Sequence, residues 1–288
     1  MSQNLSQLNF ERVGVVGSGQ MGAGIAQVLA TSGLEVVLMD REAKQVENAR
    51  KNIMLSVDKL VQKNLLTAEQ KNQAAQIQFT FELKDLSRCE LIIEAIAENE
   101  QTKRELFQAL DCMVSDTCVF ASNTSSIPIT KLASATKRPQ LFIGMHFMNP
   151  VPLMKLVEVI SGMATSPQTL DRIKRLALHL GKEVTASQDY PGFVVNRILM
   201  PMINEAFDAL MQNIATADDI DRGMKLGTNQ PMGPLQLADF IGLDTCLAIM
   251  RVLHQGFGES KYRPSPLLVK YVEAGFYGRK TKRGVYAY

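Results

Sequence analysis

The chain has 288 residues, 46% of them hydrophobic and 21% charged. At ~150 residues per domain this length predicts about two domains, and a chain of this size buries roughly 75% of its unfolded surface without disulfide or metal staples. Lysines and arginines number 31 against 29 aspartates and glutamates, a net charge of +2, which excludes a protein organised around nucleic acid and a charged, disordered chain.

Taken in chain order, the first ten residues, MSQNLSQLNF, contain no basic side chain. Neither a signal peptide nor a transit peptide is expected. The spacing predicts a strand over 13–16, a small-residue helix over 21–31 and a second strand over 35–39, a βαβ unit ending at Asp40. A charged segment, 42–63, leads to a further helix after Thr67, a good N-cap residue. Apolar runs at 90–96, 118–121, 141–145 and 154–160 predict more strands. Between them Leu106, Phe107, Leu110, Met113 and Val114 have helical spacing, as do Leu170, Ile173, Leu176, Ala177 and Leu180. The alternation predicts an α/β fold: a doubly wound, mostly parallel sheet covered on both faces, with an inserted helical hairpin.

The pattern changes near Asp189. From Pro191 onward the residues read as all-helical. One helix is expected to start at Pro191, with apolar residues at Val194, Ile198, Met202, Ala206 and Leu210, and later ones near Thr216, near Pro234 and after Pro264. The expected division is a domain of residues 1–189 and a helical domain of residues 190–288. The longest uncharged stretch near the middle, 139–154, has 16 residues, too short to span ~30 Å of hydrocarbon. No membrane segment is expected. Cys89, Cys112, Cys118 and Cys246 form no CxxC pair, and the histidines are far apart, so free thiols, a cytoplasmic setting and no metal centre are expected.

Two constellations carry chemistry. The first is Gly17-x-Gly19-x-x-Gly22, directly after a strand and entering a helix, with Gln20 and Met21 inside it. Gly17 permits a tight turn, Gly19 lets backbone approach a pyrophosphate at the helix N-terminus, and Gly22 lets helix and strand pack closely. Asp40, 18 residues beyond Gly22, is placed to accept from a ribose 2′-hydroxyl and to repel a 2′-phosphate. That favours NAD over NADP, while the neighbouring Arg41 argues the other way. The second constellation is His146, past an apolar strand and before a proline pair, with Glu158 on the apolar run LVEVI. Ligands of open α/β sheets bind at strand carboxyl ends, and histidine is the natural base for a hydroxyl proton. Glu158 needs a partner there: either the imidazole of His146 or a lysine at the sheet edge. Segment 41–63 carries six basic residues (Arg41, Lys44, Arg50, Lys51, Lys59, Lys63) and three acidic ones (Glu42, Glu47, Asp58), which suits a polyphosphate or a solvated helix face.

The stretches GVVGSGQMGAGIAQ, IIEAIAENEQTKRELF, FASNTSSIPIT, GMHFMNPVPLMKLVEVI, PGFVVNRI, DDIDRGMKLG, PMGPLQLADFIGLD and GRKTKRGVYAY resemble the short-chain 3-hydroxyacyl-CoA dehydrogenase family. They run through nearly the whole chain in the family's order, most like its bacterial branch acting on 3-hydroxybutyryl-CoA. The resemblance implies a Rossmann-type NAD-binding domain followed by an all-helical substrate and dimerisation domain. It implies hydride exchange between NAD and a (3S)-3-hydroxyacyl-CoA. In that pattern His146 is the general base, Glu158 its orienting carboxylate, Ser125 a hydrogen-bond donor to the reacting oxygen and Asn196 a substrate-polarising amide. Asp40, Glu98, Lys103, Asn123, Ser125 and Asn149 resemble cofactor contacts, and Ser56 and Lys63 contacts to coenzyme A. Ser122 and Ser126 are expected to serve the turn around Ser125. A homodimer is implied, and neither nucleic acid nor membrane is an expected partner. Met148 departs from the family where an aromatic is common. Lys282 and Val285 replace a usual glycine and phenylalanine, which bears on the packing of the tail. Two other classes are weighed: a dehydrogenase of a small free hydroxyacid, which relies on a catalytic lysine and lacks the HFxNP segment, and a non-enzymatic, crystallin-like relative.

Overall fold

The computed structural model describes residues 10–288, so the leader reading of the first residues lies outside the described residues. The chain forms two compact units, one ending at Asp189 and one running from Tyr190 to Tyr288.

The first unit begins with β1 (Arg12–Val16), α1 (Gln20–Thr31) and β2 (Glu35–Met39). Two helices follow, α2 (Ala43–Gln62) and α3 (Ala68–Ala75). Thr67 caps α3 through a reciprocal capping box with Gln70, which satisfies two backbone donors that the first helical turn leaves open. Then come β3 (Gln78–Thr80), β4 (Leu91–Glu94), α4 (Glu100–Asp111), β5 (Val119–Ser122), α5 (Ile129–Ala133), β6 (Phe142–Phe147), β7 (Leu156–Ser161), α6 (Pro167–His179) and β8 (Glu183–Gln188). The strands form one eight-stranded sheet in the order β3-β2-β1-β4-β5-β6-β7-β8. Neighbours are parallel except β6 and β7, which are antiparallel.

Side chains alternate across a strand, and the two faces of this sheet have separate contents. On one face Val13, Val15, Leu91, Ile93, Val119, Ala121, Ile143 and Met145 pack with Ile25 and Leu29 of α1 and Ile173 and Leu176 of α6. On the other, Phe107 of α4 meets Phe120 and Phe142 at ring-centroid distances of 5.5 and 4.6 Å. By the same parity Glu94, Ser122 and His146 lie on this second face, near the carboxyl ends of their strands.

The second unit contains α7 (Val195–Met211), α8 (Ala217–Gly227), α9 (Pro234–Ile241), α10 (Leu243–Phe257) and α11 (Pro266–Glu273). Its core joins Met200, Ile203 and Phe207 to Leu235, Ala238, Leu247, Met250 and Leu253. Two buried aspartates tie it together without a cation. Asp221 accepts from the Leu235 and Gln236 amides at the start of α9 and from the Tyr286 hydroxyl. Asp239 accepts from the Val285 and Tyr286 amides. The tail is therefore held through backbone N–H groups, which valine supplies at 285 as well as phenylalanine. Lys282 has φ +58°, a left-handed conformation that favours the family's glycine.

Several sequence expectations need correction. The strands β3 and β8 were not expected: β3 is only three residues long, and β8, EVTASQ, is a polar edge strand without an apolar run. The helix expected at Pro191 starts at Val195 instead, because Gly192 (φ +78°) and Phe193 (φ +51°) turn the chain first. Of the stripe expected at 194, 198, 202, 206 and 210, Ala206 is buried and Leu210 packs against the core, but Val194 is exposed. Ile198 is 68% exposed, while Met200, Ile203 and Phe207 are buried. Helix α10 was not anticipated. His146 is the penultimate residue of β6 rather than lying past it.

Burial pushes the thiols of Cys89, Cys118 and Cys246 up to about 11, 12 and 12, whereas Cys112 is exposed. Thiolate is the reactive form. Titration of the native protein with Ellman's reagent at pH 8 is expected to show one fast thiol, and the unfolded protein four. A second fast thiol in the native protein would contradict the packing described here.

Candidate active site

The strand order reverses between β1 and β4, and open α/β sheets bind ligands in the crevice at such a switch point. The glycine motif sits there. Gly17, with φ +99°, leaves β1 so closely against the next loop that a Cβ would lie 2.5 Å from the Ala95 carbonyl oxygen. A Cβ on Gly22 would lie 1.7 Å from the Gly17 carbonyl oxygen. A Cβ on Gly19 would meet nothing within 4 Å, and Gly19 caps α1 without a side-chain hydrogen bond. Ser18, Gly19 and Gln20 line a cavity, so the start of α1 opens onto a cradle that fits a pyrophosphate. Met21 packs against the core, and the Gln20 side-chain Nε2 donates to Asn149 Oδ1 at 3.0 Å. Asp40 follows β2. Its Oδ2 accepts from the Ser18 amide and hydroxyl at 2.8 and 2.9 Å, and its Oδ1 from the Glu42 amide at 3.2 Å. The carboxylate is thus fixed to the glycine loop, in a place that fits a ribose, while Arg41 is exposed. Ser18 was not singled out from sequence, since a serine between glycines carries no signal of its own.

Further along the sheet, the antiparallel return of β7 sets His146 opposite Glu158 in register. His146 Nδ1 lies 2.8 Å from Glu158 Oε2, and the carboxylate is fully buried. Of the two partners the sequence allowed for Glu158, the structure supplies the imidazole. A carboxylate at Nδ1 keeps the proton on that nitrogen and makes Nε2 the basic one.

Between these two places lies a buried polar cluster. Glu94, at the end of β4, accepts from Lys103 Nζ at 2.7 Å, Ser122 Oγ at 2.6 Å and the Ile96 amide at 2.8 Å. Lys103, only 1% exposed, also pairs with Glu98 at 3.0 Å. Glu98 Oε1 in turn accepts from Thr124 Oγ1, the Ser125 amide, and the Ser126 amide and hydroxyl. Burial pushes the Glu98 carboxyl up, but Lys103 and the Thr124 and Ser126 donors outweigh it and hold it below its ordinary value. For Glu94 burial dominates and the carboxyl is raised despite Lys103. Asn123 joins this loop to the histidine strand by accepting from the Phe147 amide at 2.8 Å. Ser122 and Ser126 serve the turn, through Glu94 and Glu98 respectively. Glu94 was missed from sequence, although a carboxylate ending the apolar run LIIE was a visible signal.

Two further candidates of the first unit, Ser56 and Lys63, lie outside this cluster. Ser56 lies on α2 and Lys63 is its exposed C-terminal cap. Both line a groove of about 360 Å³ with Asn52, Leu55, Leu153 and Pro152. An adjoining cavity of about 540 Å³ reaches from Ser56 to Gly19 and Asn149. The 150–154 loop that walls both is held from below by Lys182, whose ammonium donates to the Val151 and Met154 carbonyls at 2.6 and 2.8 Å. Of the basic residues on α2, Arg50 stacks on Phe79. Asn196 belongs to the second unit, in the first turn of α7. Among the described residues no cluster of His, Cys, Asp or Glu could hold a metal ion, and no helix is long and apolar enough to cross a membrane.

Comparison with known proteins places both units of the chain in one family. Residues 12–190 match the model of the 3-hydroxyacyl-CoA dehydrogenase NAD binding domain, and residues 192–288 that of the 3-hydroxyacyl-CoA dehydrogenase C-terminal domain. A probable 3-hydroxybutyryl-CoA dehydrogenase of Deinococcus radiodurans is 54% identical over 96% of this chain and 100% of its own. A 3-hydroxybutyryl-CoA dehydrogenase of Bradyrhizobium diazoefficiens is 52% identical, covering 97% of this chain and 96% of its own. The crystal structure of (S)-3-hydroxybutyryl-CoA dehydrogenase from Ralstonia eutropha superposes with a TM-score of 0.95 at 48% identity, over 97% of this chain and 99% of that one. With both of its domain models matched and a glycine-lined crevice in place, the chain belongs to the 3-hydroxyacyl-CoA dehydrogenase family.

Proposed function

We propose that the protein is an NAD-dependent (3S)-3-hydroxyacyl-CoA dehydrogenase that interconverts 3-hydroxybutyryl-CoA and acetoacetyl-CoA. The observation that carries this reading is the pair of His146, at the carboxyl end of β6, with Glu158 of the antiparallel β7, in a sheet whose switch point carries an open cradle for NAD. NAD, when bound, supplies the acceptor for the C3 hydride. The chain's own residues handle the proton and the charge. In oxidation His146 Nε2 takes the hydroxyl proton, and Glu158 stabilises the imidazolium. In reduction the imidazolium returns that proton to the carbonyl oxygen. Ser125 donates to the same oxygen, and Asn196 polarises the substrate carbonyl. Asp40, Gln20, Met21, Glu98, Lys103, Asn123 and Asn149 serve the cofactor. Lys103 does so from within its ion pairs, through Glu98, since its side chain is only 1% exposed. Ser56 and Lys63 take the coenzyme A handle along the α2 groove. The setting is cytoplasmic and the assembly a homodimer. Exposed Ile198, Met211, Ile214, Leu226 and Phe240 in the second unit are the apolar residues such a partner would cover.

His146→Gln is expected to keep NADH affinity and to lose about 10²–10⁴-fold in turnover, the range for a positioned acid–base group. Near-normal turnover would remove His146 from the chemistry. Asp40→Ala is expected to narrow the preference for NADH over NADPH, because the carboxylate no longer repels a 2′-phosphate. The ratio of kcat/KM for the two cofactors reads this directly, and an unchanged ratio would assign cofactor choice to another group.

The substrate is tested by NADH oxidation with acetoacetyl-CoA, its N-acetylcysteamine thioester and free acetoacetate. Turnover should be fast with the first, and the free acid should be a poor substrate. Rapid reduction of free acetoacetate would favour the hydroxyacid reading, and inactivity with all three the non-enzymatic one. In the same assay Lys63→Ala should raise KM for acetoacetyl-CoA by up to about fivefold, less at high salt, as befits an exposed charge contact. The KM for the truncated thioester, which lacks the nucleotide phosphates, should not move. Equal weakening of both would place Lys63 in the fold or the acyl pocket.

A further inference from the structure

Glu94 has no part in the chemistry described above, yet it sits where three elements meet. It ends β4, takes the hydroxyl of Ser122 from the end of β5 and anchors the ammonium of Lys103 from α4. It is fully buried, and the β4–β5 register pairs it with Ser122. Strand ends in an apolar sheet do not need a carboxylate, and an unpartnered one there would be costly. Two lines lead from it to one turn. Through Lys103 it reaches Glu98, whose Oε1 gathers the donors of Thr124, Ser125 and Ser126. Through Ser122, whose hydroxyl oxygen accepts from the Thr124 amide at 3.2 Å, it reaches the same turn from below.

We propose that Glu94 is a positioning residue for the dehydrogenase reaction: it holds the Ser125 turn in its working geometry by two routes, Lys103–Glu98 and Ser122. The proposal rests on the reading of Ser125 given above. Lys103 is shared by two carboxylates, so its place depends on both. With Glu94 uncharged, the ammonium keeps only Glu98 as an ionic partner and is drawn toward it. The Glu98 carboxylate, whose other oxygen carries the whole turn, shifts in response. A side chain that orients a reacting group contributes through geometry, so its loss persists in the rate when the cofactor is saturating.

The test is a cycle between Glu94→Gln and Ser125→Ala, read as the single-turnover rate of NADH oxidation by acetoacetyl-CoA, with NADH affinity measured by fluorescence titration. Glu94→Gln is expected to slow the single-turnover rate at saturating NADH about tenfold, beyond any loss of NADH affinity that reaches the cofactor through Lys103 and Glu98. In the Ser125→Ala background it should have little further effect. Ser122→Ala, which cuts only the second route, should slow the parent about threefold and again add little to Ser125→Ala; it serves if Glu94→Gln does not fold. A normal rate for Glu94→Gln while Ser125→Ala is slow would overturn the proposal alone. So would a loss of equal size in both backgrounds, which is the signature of a general structural role. A normal rate for Ser125→Ala would overturn the reading of Ser125, and this proposal with it.

Discussion

The antiparallel pairing of β6 with β7 is the constraint on which the site depends. Every other neighbouring pair in the sheet is parallel, and a parallel neighbour would reach β6 only through a crossover. The return strand places Glu158 opposite His146 within 12 residues of chain. A slip of one residue would turn the carboxylate to the opposite face, among Ile143 and Met145. The apolar residues on either side of Glu158, Val157 and Val159, hold that register by belonging to the core of the other face. The hydrophobic pattern of LVEVI and the chemistry of its glutamate are therefore one fact seen from two faces.

A buried carboxylate facing an imidazole is not there for stability. Replacing such pairs by apolar groups is often neutral or favourable, while removing one partner costs about 3–5 kcal/mol. The same second face carries Glu94 and Ser122 near the ends of the neighbouring strands, with Lys103 brought over them by α4. The polar residues thus occupy the carboxyl-end margin of a face whose interior is the Phe107–Phe120–Phe142 cluster. The aromatic layer fixes α4, α4 fixes Lys103, and Lys103 fixes Glu98 and the turn beyond it. Packing energy in the interior of the layer becomes positional accuracy at its edge.

Much of this was legible in the sequence, for identifiable reasons. Strands with β-branched apolar runs, and helices with good caps such as Thr67 and Thr216, announce themselves locally. The glycine motif could be read because each glycine answers a separate steric demand, and the clashes at Gly17 and Gly22 are those demands. What could not be read was long-range or polar. β8 pairs along the sheet edge with no apolar run to mark it, and the start of α7 depends on a turn at Gly192 and Phe193. The partner of Glu158 was undecided because register across a hairpin is a tertiary fact. Ser18 and Lys182 escaped notice because each acts on a distant carboxylate or backbone carbonyl, at separations of 22 and 31 residues. In one dimension nothing joins them.

With its carboxylate 2.8 Å from Nδ1, Glu158 should hold the proton of neutral His146 there and leave Nε2 as the base. Long-range proton–nitrogen NMR correlation of histidine-labelled protein reports the tautomer directly, with His146 assigned by its disappearance in His146→Gln. Neutral His146 is expected to carry its proton on Nδ1 and none on Nε2. A neutral ring protonated on Nε2, with a bare Nδ1 facing the carboxylate, would contradict it.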